Sequence, residues 1–235
     1  MLEHERFHHE LLGAPSLPPG DAEYAIGLRA ASLLRDGGTI QVGIGRVGEA
    51  VCYGACLRDE DAPLYNKILS AIGRSPHERE VVERVGSTDT FEKGLYSSTE
   101  LLSDGILGLY KRGLLRRMVF EDLLLERARV QLGRAGAALD LAMLDACVEV
   151  GALSGALTAR DFTWMQRFGM FVPGVTFEER EGERLLVVTT ADGEAITTPA
   201  DIGLEQTRRL LEEHFLAREL SGGAVLHAGF FVGSP

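Results

Sequence analysis

Apolar and polar positions along the chain alternate between helical and strand-like spacing. Over residues 22–35, Ala25, Ile26, Leu28, Ala31, Leu33 and Leu34 mark one face of a helix, with Asp21 placed to cap it. Asp36-Gly37-Gly38 stops that helix. Thr39–Val42 is a short run of strand-formers, leading through a glycine loop into a helix over about 47–57. "LRDEDAP" (57–63) predicts a polar turn, and 64–73 a second amphipathic helix. Residues 73–94 are polar and predict irregular backbone with one helical turn at most. "LYSSTELLS" (95–103) predicts a strand that meets a loop at Ser103-Asp104-Gly105, and a helix follows over about 104–112. The order helix–strand–helix–helix–strand–helix predicts an α/β layer on a parallel sheet.

The pattern changes after Val119. "FEDLLLERARVQLGR", "AALDLAMLDACVEVGAL" and "LTARDFTWMQRFGMF" read as helices, the last with Thr158 as cap. Residues 176–198 hold two strand-like runs around "ADGE", a hairpin signal. An acidic helix is expected over about 203–219, and "SGGAVLHAGFFVGSP" resumes the grammar of glycine turn and apolar strand. Four segments result: an extension over 1–20, broken from the rest by "GAPSLPPGD" (13–21); an α/β domain over 21–118; a mostly helical insertion over 119–220; and a returning strand over 221–235. Inner strands of parallel sheets are covered on both faces by crossover helices, and none follows this strand. The expectation is a chain truncated within its α/β domain, with Phe230, Phe231 and Val232 partly uncovered.

The formal net charge of −11 argues against nucleic acid or an anionic membrane as partner, since both select clustered Lys and Arg. The local run from Lys111 to Arg117 is interrupted by Leu114 and Leu115, as the solvated rim of a helix with a buried face would be. Cys52, Cys56 and Cys147 form no even framework, and no second pair offers metal-ligand spacing; they read as small core residues. His4 and His8 lie one helical turn apart, but a frayed polar end accounts for them, and no metal is expected. "MLEHERFHHELL" lacks an apolar signal core, and no apolar run approaches about 18 residues. A reducing, cytoplasmic setting without membrane contact is the expectation.

Gly43-Ile44-Gly45-Arg46-Val47-Gly48 has the G-x-G-x-x-G spacing of a dinucleotide fingerprint. That chemistry also requires an acidic residue about 20 positions on, to hold the ribose hydroxyls. "NKILSAIGRS" stands there without a carboxylate, and Asp59, Glu60 and Asp61 come too early. A nicotinamide or flavin site is set aside. What remains is physical: glycines let the backbone approach a ligand, and helix N-terminal N–H groups can bind an anion or an oxyanion. A tight turn packing helix on strand would need the same glycines. Asp104 precedes a helix and reads as its N-cap. His227, among apolar neighbours, reads as a hydrogen-bonded core histidine rather than a general base.

Three ordered stretches resemble one family. "YAIGLRAASLLRDGGTIQVGIGRVGEAV" (24–51) is similar to the opening of the acetyl-CoA hydrolase/CoA-transferase family, in which a helix ends in a "-DG-T-Q-GIG--P-AV" stretch. "STELLSDGILGLYKRGLL" (98–115) resembles its "TE-FSDG--DL---G" segment, and "VLHAGFFVG" (225–233) the strand that follows in the same half. The chain departs at Arg46-Val47-Gly48, where many relatives carry proline in place of Val47 or Gly48. The resemblance implies an α/β, parallel-sheet N-terminal domain of the NagB/RpiA/CoA-transferase-like fold, with the mostly helical insertion set into it. It implies coenzyme A as substrate, no cofactor, a small carboxylate as acyl partner, and a homo-oligomer. Such enzymes attack the acyl-CoA carbonyl with a glutamate and pass through a glutamyl-CoA thioester. The resemblance places that glutamate in a second half, so this chain is expected to supply the N-terminal half alone and to be inactive by itself. Gly43, Ile44, Gly45, Glu100, Ser103, Asp104 and Gly105 are then the expected substrate-binding residues, with Glu100 as an orienting or salt-bridging group. Two other possibilities stay open: a non-catalytic or partner-completed subunit, and an anion-binding α/β protein unrelated to CoA.

Overall fold

A computed structural model describes residues 18–190 and 192–231. The chain divides into two compact units. One runs to Arg117 and resumes at Val225; the other is Met118–Ala224. Those divisions stand beside 118/119 and 220/221 read from the sequence.

The first unit is α/β, with three parallel strands. Its first helix, α1 (Asp21–Ala31), is capped at Gly20, whose N–H donates to Glu23 at 3.0 Å. Asp21 is therefore the first helical residue and not the cap; Glu23 reaches back and takes that function. The short strand β1 (Thr39–Ile40) leads to α2 (Arg46–Glu60), and α3 (Ala62–Ala71) and α4 (Pro76–Val85) follow. Strand β2 (Tyr96–Leu102) then precedes α5 (Asp104–Lys111). Strand β6 (Leu226–Phe231) returns from the far end of the chain. The sheet order is β1-β2-β6, in register Thr39↔Tyr96 and Ser97↔Leu226 through Leu102↔Phe231. Among the described strands β6 is thus an edge, paired to β2, and not the inner strand its composition predicts. The expected exposure of Phe230, Phe231 and Val232, and the His4–His8 pair, lie outside what is described.

The helix α1 lies on α2 through small residues. A Cβ on Gly27 would stand 2.3 Å from the backbone carbon of Ala50, and one on Gly54 only 3.1 Å from the Ala31 methyl. Gly27/Ala31 and Ala50/Gly54 are each four apart, so each pair shares a helix face and the two backbones touch. The Asp36 carboxylate accepts the N–H groups of Lys93 and Gly94 at 3.0 and 2.9 Å, which ties the approach to β1 to the approach to β2. The glycine-rich stop seen in the sequence therefore also sets strand register. The residues read as a polar turn at 57–63 instead extend α2 to Glu60, because Arg58 is fully buried. Its guanidinium donates to the carbonyls of Ala31, Leu34 and Asp89 and lies 3.9 Å over the Phe91 ring. A buried arginine that satisfies helix-terminal carbonyls is energetically tolerable where a bare charge is not. Helix α4, in a stretch read as irregular, starts with a Ser75–Glu78 capping box and Pro76 at its first position.

The unit Met118–Ala224 carries α6 (Leu123–Gln131), α7 (Leu141–Glu149) and α8 (Ala159–Arg167). Their caps are legible: Asp122, Asp140 and Thr158 each accept a first-turn N–H. An antiparallel sheet follows, β3 (Thr176–Arg180), β4 (Glu183–Thr189) and β5 (Ala195–Pro199), in that order. The expected hairpin is the β4–β5 half of it. The β3–β4 turn was concealed because Glu181 holds one of its two positive-φ positions, φ 52°, ahead of Gly182 at 85°. The acidic helix breaks into α9 (Glu205–Leu210) and a π-helical turn, Leu211–Phe215. Phe120, Leu125, Met143, Leu144, Met165 and Phe215 are among the residues of its core.

Candidate functional site

Gly43, Gly45 and Gly48 follow the carboxyl end of β1. Gly43 and Gly45 have nothing within 4 Å of where a Cβ would be, so the loop faces open space. Gly45 is the N-cap of α2, with φ 123° and ψ 171°, and no side chain caps the helix. The first-turn amides of α2 therefore lack a capping acceptor, the arrangement that favours an anion. Gly48 has the other function: a Cβ there would come 2.2 Å from the Gly43 carbonyl, so its lack of a side chain closes the turn. Open space and tight packing thus divide the motif between its first two glycines and its third. Ile44 and Val47, 53% and 45% exposed, flank the loop.

The second loop lies beside the first. Since β1 and β2 are adjacent and parallel, Ser103-Asp104-Gly105 emerges at the same end of the sheet. The cap of α5 is Ser103, whose hydroxyl accepts the Ile106 N–H, and not Asp104 as the sequence suggested. Asp104 is exposed in the first helical turn, where its charge suits the helix dipole. Gly105 is buried against α2: a Cβ there would lie 2.8 Å from Glu49 Oε2 and 2.9 Å from Cys52 Sγ. Its N–H donates to Glu49 Oε1 at 3.0 Å.

Glu49 is the residue that sequence reasoning missed. It holds the head of α5 against the first turn of α2, and so sets the spacing of the two loops. The signal was available, since Glu49 directly follows the third glycine and stands one turn ahead of Cys52. Glu100, by contrast, is exposed on β2 and makes no ion pair or side-chain hydrogen bond among the described residues. The salt-bridging part expected of it is not seen.

The remaining candidates have structural partners. His227 Nδ1 is 2.7 Å from the Tyr96 hydroxyl, and the histidine is half-buried on β6 rather than in the core. The three cysteines are buried. Burial, with the Glu49 charge adding to it, pushes the Cys52 thiol far up; burial also raises Cys56 to about 11 and Cys147 to about 12. None is a thiolate near neutral pH. In the basic run, Leu114 and Leu115 are buried, Arg112 pairs with Glu60 at 3.0 Å and Arg116 with Asp59 at 3.1 Å. Among the described residues no group of three or more His, Cys, Asp or Glu is placed to hold a metal ion, and no helix is long and apolar enough to cross a membrane. Comparisons with family models, curated proteins and solved structures find no match to this chain.

Proposed function

We propose that the Gly43–Gly45 loop and the Ser103–Gly105 loop form one wall of an acyl-CoA site on a CoA-transferase-like fold. The reaction is acyl-CoA hydrolysis or CoA transfer through a glutamyl-CoA thioester. One observation carries this reading: two glycine-bearing strand-to-helix loops stand side by side at the carboxyl ends of adjacent parallel strands, joined by the Glu49–Gly105 hydrogen bond. Ligands of open parallel sheets bind at that end. The open backbone at Gly43 and Gly45 admits the thioester, and the N–H groups at the head of α2 stabilise negative charge developing on its oxygen. No glutamate of this chain is assigned as nucleophile; a second half or a partner chain supplies it.

Calorimetric titration of the purified chain with CoA and acetyl-CoA tests the proposal. Binding is expected, and Gly45→Val, which places a β-branched residue at φ 123°, is expected to weaken it about tenfold or more. Val47→Ser, which leaves the backbone undisturbed, is expected to change affinity less. No heat of binding at millimolar ligand, or affinity indifferent to Gly45→Val, overturns the reading. A thioester-release assay is expected to show no turnover; multiple turnovers abolished by Glu100→Gln would make Glu100 the nucleophile. The uncapped head of α2 favours one second reading, a site for a small anion unrelated to CoA. Binding of inorganic phosphate without CoA binding would establish that instead.

A further inference from the structure

On the helical side of the first unit, α1 and α4 leave a cleft of about 340 Å³ between them. Its walls are apolar: Ile26 and Ala30 of α1 and Leu33 in the turn that follows it line the cleft with Val81 and Val82 of α4. A second cavity of about 380 Å³, lined by polar groups that include Ser87, Thr88 and Asp89, adjoins it. Arg74 and Val82 line both. The volume is that of a small-molecule site.

The lining of the apolar cleft carries Arg29 and Arg74 against one carboxylate, Glu78. The Arg74 side chain is half-buried, yet makes no hydrogen bond or ion pair among the described residues. Arg29 spends Nη2 on the carbonyls of Ile72 and Gly73, at the end of α3, at 3.1 and 2.9 Å. Its Nε is shielded from solvent and has no hydrogen-bond partner. The facing anion is Glu78, and it is committed elsewhere: Oε2 accepts the Ser75 N–H at 2.6 Å, while Oε1 stands 3.9 Å from Arg29 Nε. The Ser75 N–H holds the Glu78 carboxyl below the usual carboxylate range, so it stays ionised in its cap. The Arg74 guanidinium thus feels Glu78 across a distance and has no hydrogen-bonded counter-ion among the described residues. Half-buried cations gain most from an anion that hydrogen-bonds to them.

We propose that this cleft binds an aliphatic carboxylate, its chain between Leu33 and Val81 and its carboxylate on Arg74. The apolar walls select a chain, and the guanidinium without a hydrogen-bonded partner selects a single anionic head. The site is separate from the glycine loops and stands whether or not those bind CoA.

The test is titration of the purified chain with decanoate, below its micellar concentration, and in parallel with decanol. Amide shifts of Leu33, Val81 and Val82 in two-dimensional NMR report occupancy. Decanoate is expected to bind about tenfold more tightly than decanol, the difference belonging to the charge-assisted contact. Arg74→Gln is expected to erase that difference and leave decanol binding unchanged. Val81→Trp is expected to fill the slot and abolish both, with far-UV circular dichroism confirming the fold. Equal affinity for acid and alcohol in the unaltered chain overturns the proposal, as does a preference for decanoate that survives Arg74→Gln or decanoate binding that survives Val81→Trp.

Discussion

In the α/β unit, α1 and α2 meet backbone to backbone through Gly27, Ala31, Ala50 and Gly54. In the unit Met118–Ala224 the helices bury large side chains instead, Leu125, Met143, Leu144 and Met165 among them, and none of the latter four leaves any surface exposed. Both units nonetheless sink one arginine among main-chain oxygens. Arg58 collects the carbonyls of Ala31, Leu34 and Asp89; Arg129 collects those of Met118, Ala135 and Gly136 and lies 4.7 Å over the Phe120 ring. The difference is a carboxylate. Arg129 also pairs with Glu126, while Arg58 makes no ion pair among the described residues; each keeps one nitrogen without a hydrogen bond, Nε of Arg129 and Nη2 of Arg58. Burial lowers the Arg58 pKa, with the Tyr65, Asp89, Asp36 and Asp59 charges opposing it. A parallel-sheet unit that brings backbones together leaves carbonyl ends to satisfy, and a guanidinium's fork of donors does so without a second side chain. Where a carboxylate is added, the pair becomes harder to break from one side.

That contrast is sharpest in the arginines themselves. Arg129→Met strips Glu126 of its cation and three carbonyls of a donor, and is expected to cost about 3–5 kcal/mol. Arg58→Met leaves only neutral carbonyls behind, and about 2–3 kcal/mol is expected. Urea unfolding of both variants measures this, and equal losses would remove the carboxylate from the explanation. Next comes the helix contact. Gly27→Ala puts a methyl into the Ala50 backbone and is expected to cost about 2–3 kcal/mol, whereas Ala146→Gly in α7 is expected to cost about 1 kcal/mol through helix propensity. Hydrogen exchange should localise the first loss to the α/β unit. Protection lost equally across residues 118–224 would show that the units do not unfold separately.

Smaller effects test the caps and charges. Thr158→Ala removes the hydroxyl that accepts the Asp161 N–H at 3.2 Å, and about 1 kcal/mol is expected by thermal unfolding. The least is acid sensitivity. The Arg208 guanidinium, hydrogen-bonded to Asp145 at 2.7 and 2.8 Å, holds that carboxyl below its usual range against the opposing effect of burial. Burial alone would raise Asp140, but the Arg134 guanidinium and the Met143 N–H outweigh it. A carboxyl depressed in the folded state stabilises above its unfolded pKa, about 3.9, and that contribution fades as pH falls through the folded value. Unit Met118–Ala224 should therefore lose this stability below about pH 4. Asp145 is half-exposed, so Asp145→Asn is expected to cost less than about 1 kcal/mol at pH 7 and nothing at pH 2. A cost that persists at pH 2 would point to packing rather than charge.

Local pattern carried a good deal of this molecule. Periodicity located α1, α2, α3 and α5 and the change of character after residue 118, because each depends on spacing within one segment, and the order of elements pointed to a parallel sheet. The glycine loop and the Ser103–Gly105 turn were legible for the same reason: a strand that turns sharply into a helix needs particular residues there. Their failures are equally specific. Arg58 reads as surface by its type, and only the carbonyl ends of α1 and the loop at Asp89 make its burial possible. A polar stretch hid α4, whose one buried residue, Val82, leaves almost no apolar stripe. Thr39–Ile40 was expected to run to Val42, but β2 offers it partners at two positions alone. Ser103 took the cap from Asp104 because the chain enters α5 in extended conformation at residue 103.

By itself, the sequence determined most of the segments that would be helix or strand and where the backbone would be bare, since propensity, capping and glycine content act within a few residues. Tertiary structure alone decided what those bare positions face. Gly48 and Gly105 are filled against Gly43 and Glu49, while Gly43 and Gly45 stay open. The residues in each contact are between five and fifty-six positions apart, and no local pattern encodes a distance across two packed helices. The Glu49–Gly105 bond exists because α2 and α5 follow neighbouring parallel strands, so that the sheet brings their first turns together.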